Sequence, residues 1–209
     1  GTETVAGQSI AADVSSFYTR DIRIANRPSN LSFGMNISNI GNKISYTETV
    51  VRDFIPINLR IGSSLSTDFD DYNSMSFSFD INKLLVPTPP LYDENGDIIR
   101  GKDPNVSVVS GIFQSFGDAP DGINEELREL NLSIGMEYWY DKQFALRAGY
   151  FHEHDTKGGR KYLTFGSGVK YNVFALDFSY LVNTSRDAGV TNPLANTMRF
   201  TLLFDFGEI

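Results

Sequence analysis

The chain has 209 residues and no cysteine, so disulfide frameworks and thiolate metal sites are excluded. It lacks any run of 18 or more apolar residues, which excludes a transmembrane helix but not a membrane-crossing sheet. It has no basic excess: 18 Lys and Arg against 26 Asp and Glu leave a net charge of -8. Such a chain repels phosphate backbones, so no nucleic-acid partner is expected. Catalytic signatures are missing as well. There is no G-x-S-x-G elbow, no H-E-x-x-H and no glycine-rich phosphate loop. Paired carboxylates and nucleophiles form no constellation. The expectation is a protein that is not an enzyme and needs no cofactor.

What the sequence does have is alternation. Aromatics are plentiful, with 16 Phe and 10 Tyr against one Trp, and apolar residues fall on every second position almost throughout, as in half-buried strands. One such stretch sets Met75, Phe77, Phe79 and Ile81 against Ser76, Ser78, Asp80 and Asn82. Another sets Met198, Phe200, Leu202, Phe204 and Phe206 against Thr197, Arg199, Thr201 and Asp205. About nine strands are expected on this pattern. They lie near Ser9 to Tyr18, Leu31 to Ser38, Ile57 to Leu65, Met75 to Asn82, Leu130 to Tyr138, Phe144 to Tyr150, Leu163 to Tyr171, Phe174 to Tyr180, and Met198 to Phe206.

The connections alternate in length. "YDKQF" and "YNVF" are short, whereas "GNKISYTETVVRDF", "EHDTKGGR", "NTSRDAGVTNPLAN" and the stretch 85–126 are long. Outer-membrane barrels have this asymmetry, with short periplasmic turns and longer extracellular loops. A soluble β-sandwich adhesin would also give one apolar and one polar face, but has no reason to keep its long loops at one end. The charges Asp80, Glu137, Arg147, Lys170, Asp177 and Arg199 all fall opposite the apolar stripe and nearly balance. They are expected to line a closed interior and to compensate one another. Tyr138, Tyr140, Tyr150, Tyr171 and Tyr180 suit an interfacial girdle. The expected fold is therefore all-β, an antiparallel transmembrane β-barrel with lipid against its apolar face.

The 85–126 stretch is far longer than ordinary connections, and loops of that size are usually functional. Short helical turns are expected at Gly111 to Phe116 and Asp121 to Glu129. Leu91, Ile112, Phe113 and Phe116 are its candidate binding residues; the other reading has the loop fold back to plug its own barrel. "HEHD" (His152 to Asp155) reads as a polar hairpin tip in preference to a metal site, and "DENGD" (Asp93 to Asp97) as a turn, since its glycine is misplaced for an EF-hand. Ser167 between Gly166 and Gly168 marks a place where small residues leave space or let backbones approach.

The stretches "NISNIGNKISYT", "DFIPINLRIGSS", "DINKLLVPTPP", "SGIFQSFGDAP", "GMEYWYDKQFALRAGYFHE" and "NPLANTMRFTLLFDF" resemble the PorV (LptO) family of type IX secretion outer-membrane proteins. The resemblance implies a FadL-like barrel of roughly fourteen strands, of which this chain supplies about nine as one C-terminal domain over 1–209. It implies a place in the outer membrane of a Bacteroidetes cell, with the loops extracellular. It further implies binding of cargo proteins through their C-terminal signal domains, and transfer from the translocon to a surface attachment complex with a sortase subunit. The alternative it leaves open is a FadL-type transporter of hydrophobic small molecules. Because complete barrels usually have an even strand count, strand parity adds the expectation that an odd number of strands precedes residues 1–8, which would belong to an extracellular loop; the resemblance implies that the number is about five.

Overall fold

Residues 7–45, 52–185 and 196–206 are described in this computed structural model. The loop "NTSRDAGVTNPLAN" lies mostly outside them, as do parts of "GNKISYTETVVRDF" and of the first eight residues. Alternation does become strand. β1 (Ala11–Ile24), β2 (Arg27–Gly41), β3 (Asn58–Asp68) and β4 (Asn73–Leu84) form the first half of the sheet. After the long loop come β7 (Leu130–Tyr140), β8 (Phe144–His152), β9 (Lys161–Tyr171), β10 (Phe174–Asn183) and β11 (Met198–Phe204). The loop itself contributes β5 (Leu91–Tyr92), β6 (Ile98–Arg100), α1 (Val108–Gln114) and α2 (Ile123–Arg128).

Nine strands make one sheet in the order β1-β2-β3-β4-β7-β8-β9-β10-β11, while β5 and β6 pair separately. The pairings β7–β8, β8–β9, β9–β10 and β10–β11 are antiparallel. None of the described helices is long and apolar enough to cross a membrane. The all-β class and the antiparallel sheet expected of an outer-membrane barrel are both present.

One set of turns is as short as turns can be. "DIRIANRPSN" shrinks to Ala25 and Asn26, both with positive φ (50° and 67°). Asp141 and Lys142 do the same at 51° and 53°, and Asn172 sits at 53°. Two central residues of positive φ are the signature of the mirrored turn whose twist matches flanking strands. The strands therefore run several residues further than alternation alone marks them.

By packing, the chain divides into two units. The first comprises Gly1–Ser16, Met35–Ile61 and Asn82–Leu130, and the second Phe17–Gly34, Gly62–Ile81 and Asn131–Ile209. The first holds the enclosed side chains of Ile57, Leu85 and Ala119, with the Leu85 amide donating to the Ile57 carbonyl at 2.8 Å. The second holds only Ala145 as a buried apolar residue among those described.

That scarcity decides which solvent the apolar stripe meets. In register, Phe144, Val169, Leu176 and Leu202 form one cross-sheet row, and Leu146, Ser167, Phe178 and Phe200 another. Phe33, Met35, Phe77, Phe79, Leu146, Phe165, Leu176, Phe200 and Leu202 are all exposed. A sandwich would bury this face against a second sheet. Here no described element covers it, and a contiguous apolar face of that extent suits lipid, not water.

Candidate functional site

The 85–126 loop carries the least expected arrangement. α1 is capped by Ser107, whose hydroxyl accepts from the Ser110 amide at 3.2 Å. Its buried face consists of Gly111 and Ser115. A side chain at Gly111 would collide with the Phe54 ring at 2.6 Å, so the helix packs by its own backbone there. Its largest apolar residues point the other way: Val109 and Phe113 are exposed, Phe113 by 73%, and Phe116 just beyond is exposed too. α2 repeats the inversion. It buries Glu126 and exposes Ile123 (71%) and Leu127. A surface helix ordinarily does the reverse.

Buried Glu126 is stable because it is fully engaged. One oxygen accepts from the backbone amides of Asp118 (2.8 Å) and Ala119 (2.9 Å), and the other from Lys83 Nζ at 3.0 Å. Lys83, at the end of β4 and 5% exposed, also donates to Glu129 at 2.7 Å. The Thr88 hydroxyl donates to the second oxygen of Glu129 at 2.7 Å, and its amide to Asp118 Oδ2 at 3.1 Å. The loop is thus fastened from beneath by ions while its hydrocarbon faces outward. Arg100 and Asp121 add an exposed pair at 3.2 Å between β6 and α2.

Of the residues chosen from sequence for binding, Leu91, Phe113 and Phe116 are exposed, whereas Ile112 is half-buried. Val109, Ile123 and Leu127 were missed. Their signal was present, since 109/113 and 123/127 each stand one helical turn apart.

On the polar face of the sheet, Glu137, Arg147, Gly166, Ser179 and Arg199 align across five strands. Arg147 bridges Glu137 through Nε and Asp177 through Nη1. It reaches Asp177 across β9 because Gly166 and Gly168 leave the path open. A Cβ on Gly168 would collide with Asp177 Oδ1 and stand 3.0 Å from Arg147 Nη1. Asp80 lies over Gly62. Lys170 and Arg199 form no ion pair with another described residue. Ser64, Ser66, Ser76, Ser78, Asp80 and Thr164 join Glu137 and Arg147 around a cavity of about 590 Å³.

The remaining motifs are structural. At "HEHD" the organising residue is Glu153, not a histidine: Arg160 forks onto it through Nε and Nη2, each at 2.8 Å. Burial pushes Glu153 upward, but the Arg160 side chain and amide outweigh it and hold the carboxyl below its usual range. His154 caps the following short turn (Asp155–Lys157) by accepting from the Thr156 amide. In "DENGD", Asp93 Oδ1 accepts from the Asn95 and Asp97 amides, with Gly96 at φ 89° closing the β5–β6 turn. No group of three or more His, Asp or Glu side chains among the described residues is placed to hold a metal.

Comparison with known proteins gives one finding. The family model described as Type IX secretion system protein PorV matches residues 1–91. The similarity to that family covers less than half of the chain. The match spans β1 to β4 and the start of the long loop, and contains "NISNIGNKISYT", "DFIPINLRIGSS" and "DINKLLVPTPP". The other three stretches of resemblance lie beyond the matched segment. No curated protein matches the chain. PorV proteins are type IX secretion components, and an exposed apolar sheet without long apolar helices is compatible with their outer-membrane setting.

Proposed function

We propose that this protein is a non-enzymatic outer-membrane component of type IX secretion that binds cargo C-terminal signal domains on its 85–126 loop. It hands them from the translocon to the surface attachment complex, where a separate sortase subunit acts. The observation that carries this reading is the inverted burial of α1 and α2, which present Val109, Phe113, Ile123 and Leu127 outward. Hydrophobic side chains held away from a core are the usual anchors of a protein interface. The same loop exposes Glu94, Asp97, Asp103 and Asp121 beside Arg100 and Lys102, so the matching surface on the signal domain is apolar with a mixed-charge border. Leu91 and Phe116 extend the same surface.

The charges Asp80, Glu137, Arg147, Lys170, Asp177 and Arg199 belong, on this reading, to a watered lumen. Ile134, Met136 and Phe151 share the lining of the 590 Å³ cavity with Asp80, Glu137 and Arg147; charges in the path of a hydrocarbon chain are costly, so a conduit for hydrophobic small molecules is not favoured.

The test is co-purification of cargo from native membranes. Phe113→Asp with Leu127→Asp should leave the barrel folded, judged by heat-modifiable migration, and should abolish cargo recovery. Undiminished recovery by the doubly substituted, folded protein would refute the assignment.

A further inference from the structure

Behind the outward-facing helices, four ionisable groups are enclosed with an unbalanced charge. Lys83 is the cation; Asp118, Glu126 and Glu129 are the anions. Lys83 gives its two bonds to the glutamates, and Glu126 and Glu129 each find a donor for both oxygens. Asp118 is served worst. Its Oδ2 accepts from the Thr88 amide, but Oδ1 has no hydrogen-bond partner although the residue is only 2% exposed. The amide of Gln114, the polar side chain offered by α1, donates to the Asp103 carbonyl at 2.9 Å and gives Asp118 only partial support.

We propose that Asp118 is the proton-binding member of a lock that holds the 85–126 loop onto Lys83. A carboxylate enclosed with one oxygen lacking a donor is pushed toward its neutral form. Burial pushes Asp118 above its usual 3.8, and the charges of Glu126 and Glu129 push the same way, outweighing the Thr88 amide and the Gln114 side chain. The sign follows directly. A group whose value is raised by folding favours the closed arrangement while protonated, so closure is firm in mild acid. It weakens as pH rises through the raised value. Phe116 couples the lock to the outer surface, because its ring lies 5.8 Å from Lys83 Nζ. The proposal stands apart from the cargo reading, since it concerns the loop with nothing bound.

Hydrogen exchange read by mass spectrometry on the full chain in detergent tests it. Protection of 108–128, corrected for the intrinsic rate at each pH in a series from about pH 4 to 8, should be highest at the acid end and several-fold lower at the alkaline end. In Asp118→Asn it should be high and equal at both. The β9–β10 pairing, which contains no histidine, serves as the internal reference. Equal wild-type protection at the two ends of the series, or an Asp118→Asn protein that keeps the dependence, would overturn the proposal. Should Asp118→Asn fail to fold, Glu129→Gln takes its place. Removing one charge that raises Asp118 should shrink the dependence, and an undiminished dependence would overturn the proposal equally.

Discussion

Lys83 shows how much can rest on one side chain. It is almost fully enclosed and holds two carboxylates that come from 43 and 46 residues further along the chain. Removing one partner of a buried ion pair leaves an uncompensated charge and costs about 3–5 kcal/mol. Lys83→Met should therefore free the 85–126 loop to proteases acting at Arg100, Lys102 and Arg128. The sheet, which does not use Lys83 for its pairing, should still migrate as a folded barrel; protease mapping beside heat-modifiability checks both halves of this expectation. Nothing in the sequence announces the lock. Alternation marks Lys83 only as a residue at a strand end, and no local pattern joins it to Glu126 or Glu129. Gly168 is a case in between. The Gly-Ser-Gly triplet signals a close approach, but only the register reveals that the traveller is the Arg147 side chain on its way to Asp177.

At the scale of the element, the strands and their faces are legible, whereas the loop helices are legible in place but not in orientation, for one physical reason. A strand with two different solvents on its two faces must alternate, so its period is written into the residues. All nine sheet strands were found that way, with ends misplaced where two-residue turns let pairing continue past the alternating core. The helices α1 and α2 were placed roughly, but their orientation was not, because burying Gly111 and Glu126 violates the rule by which a helix face is normally read. The strand faces make a sharper expectation than the helices. Phe79→Lys or Leu202→Lys should cost about 2–4 kcal/mol if near the bilayer midplane, whereas Ser78→Thr, on the polar face, should be mild. Denaturant titrations in lipid vesicles would measure the difference, and equal costs on both faces would mean the faces are misassigned.

For the whole molecule, the ledger of buried apolar residues is the deciding fact. The described residues enclose Ile57, Leu85, Ala119 and Ala145 and leave an entire sheet face of Phe, Leu, Met and Ile uncovered. Such a chain needs amphiphiles to stay dispersed. Diluting detergent below its micellar concentration should precipitate it, and a monomeric, folded protein under those conditions would contradict the membrane assignment.

The strand order has a consequence for how this sheet comes into being. Every strand lies beside its neighbour in the chain, with only the self-paired β5–β6 ribbon intervening between β4 and β7. Each pairing therefore joins neighbouring strands, and the hairpins with the shortest turns lose the least chain entropy before their pairing is rewarded. Growth can advance one hairpin at a time, each new strand templated by the last. The longest closure between neighbouring strands is β4 onto β7, across the long loop. Shortening that loop should accelerate assembly in liposomes, while lengthening any of the two-residue turns should slow it.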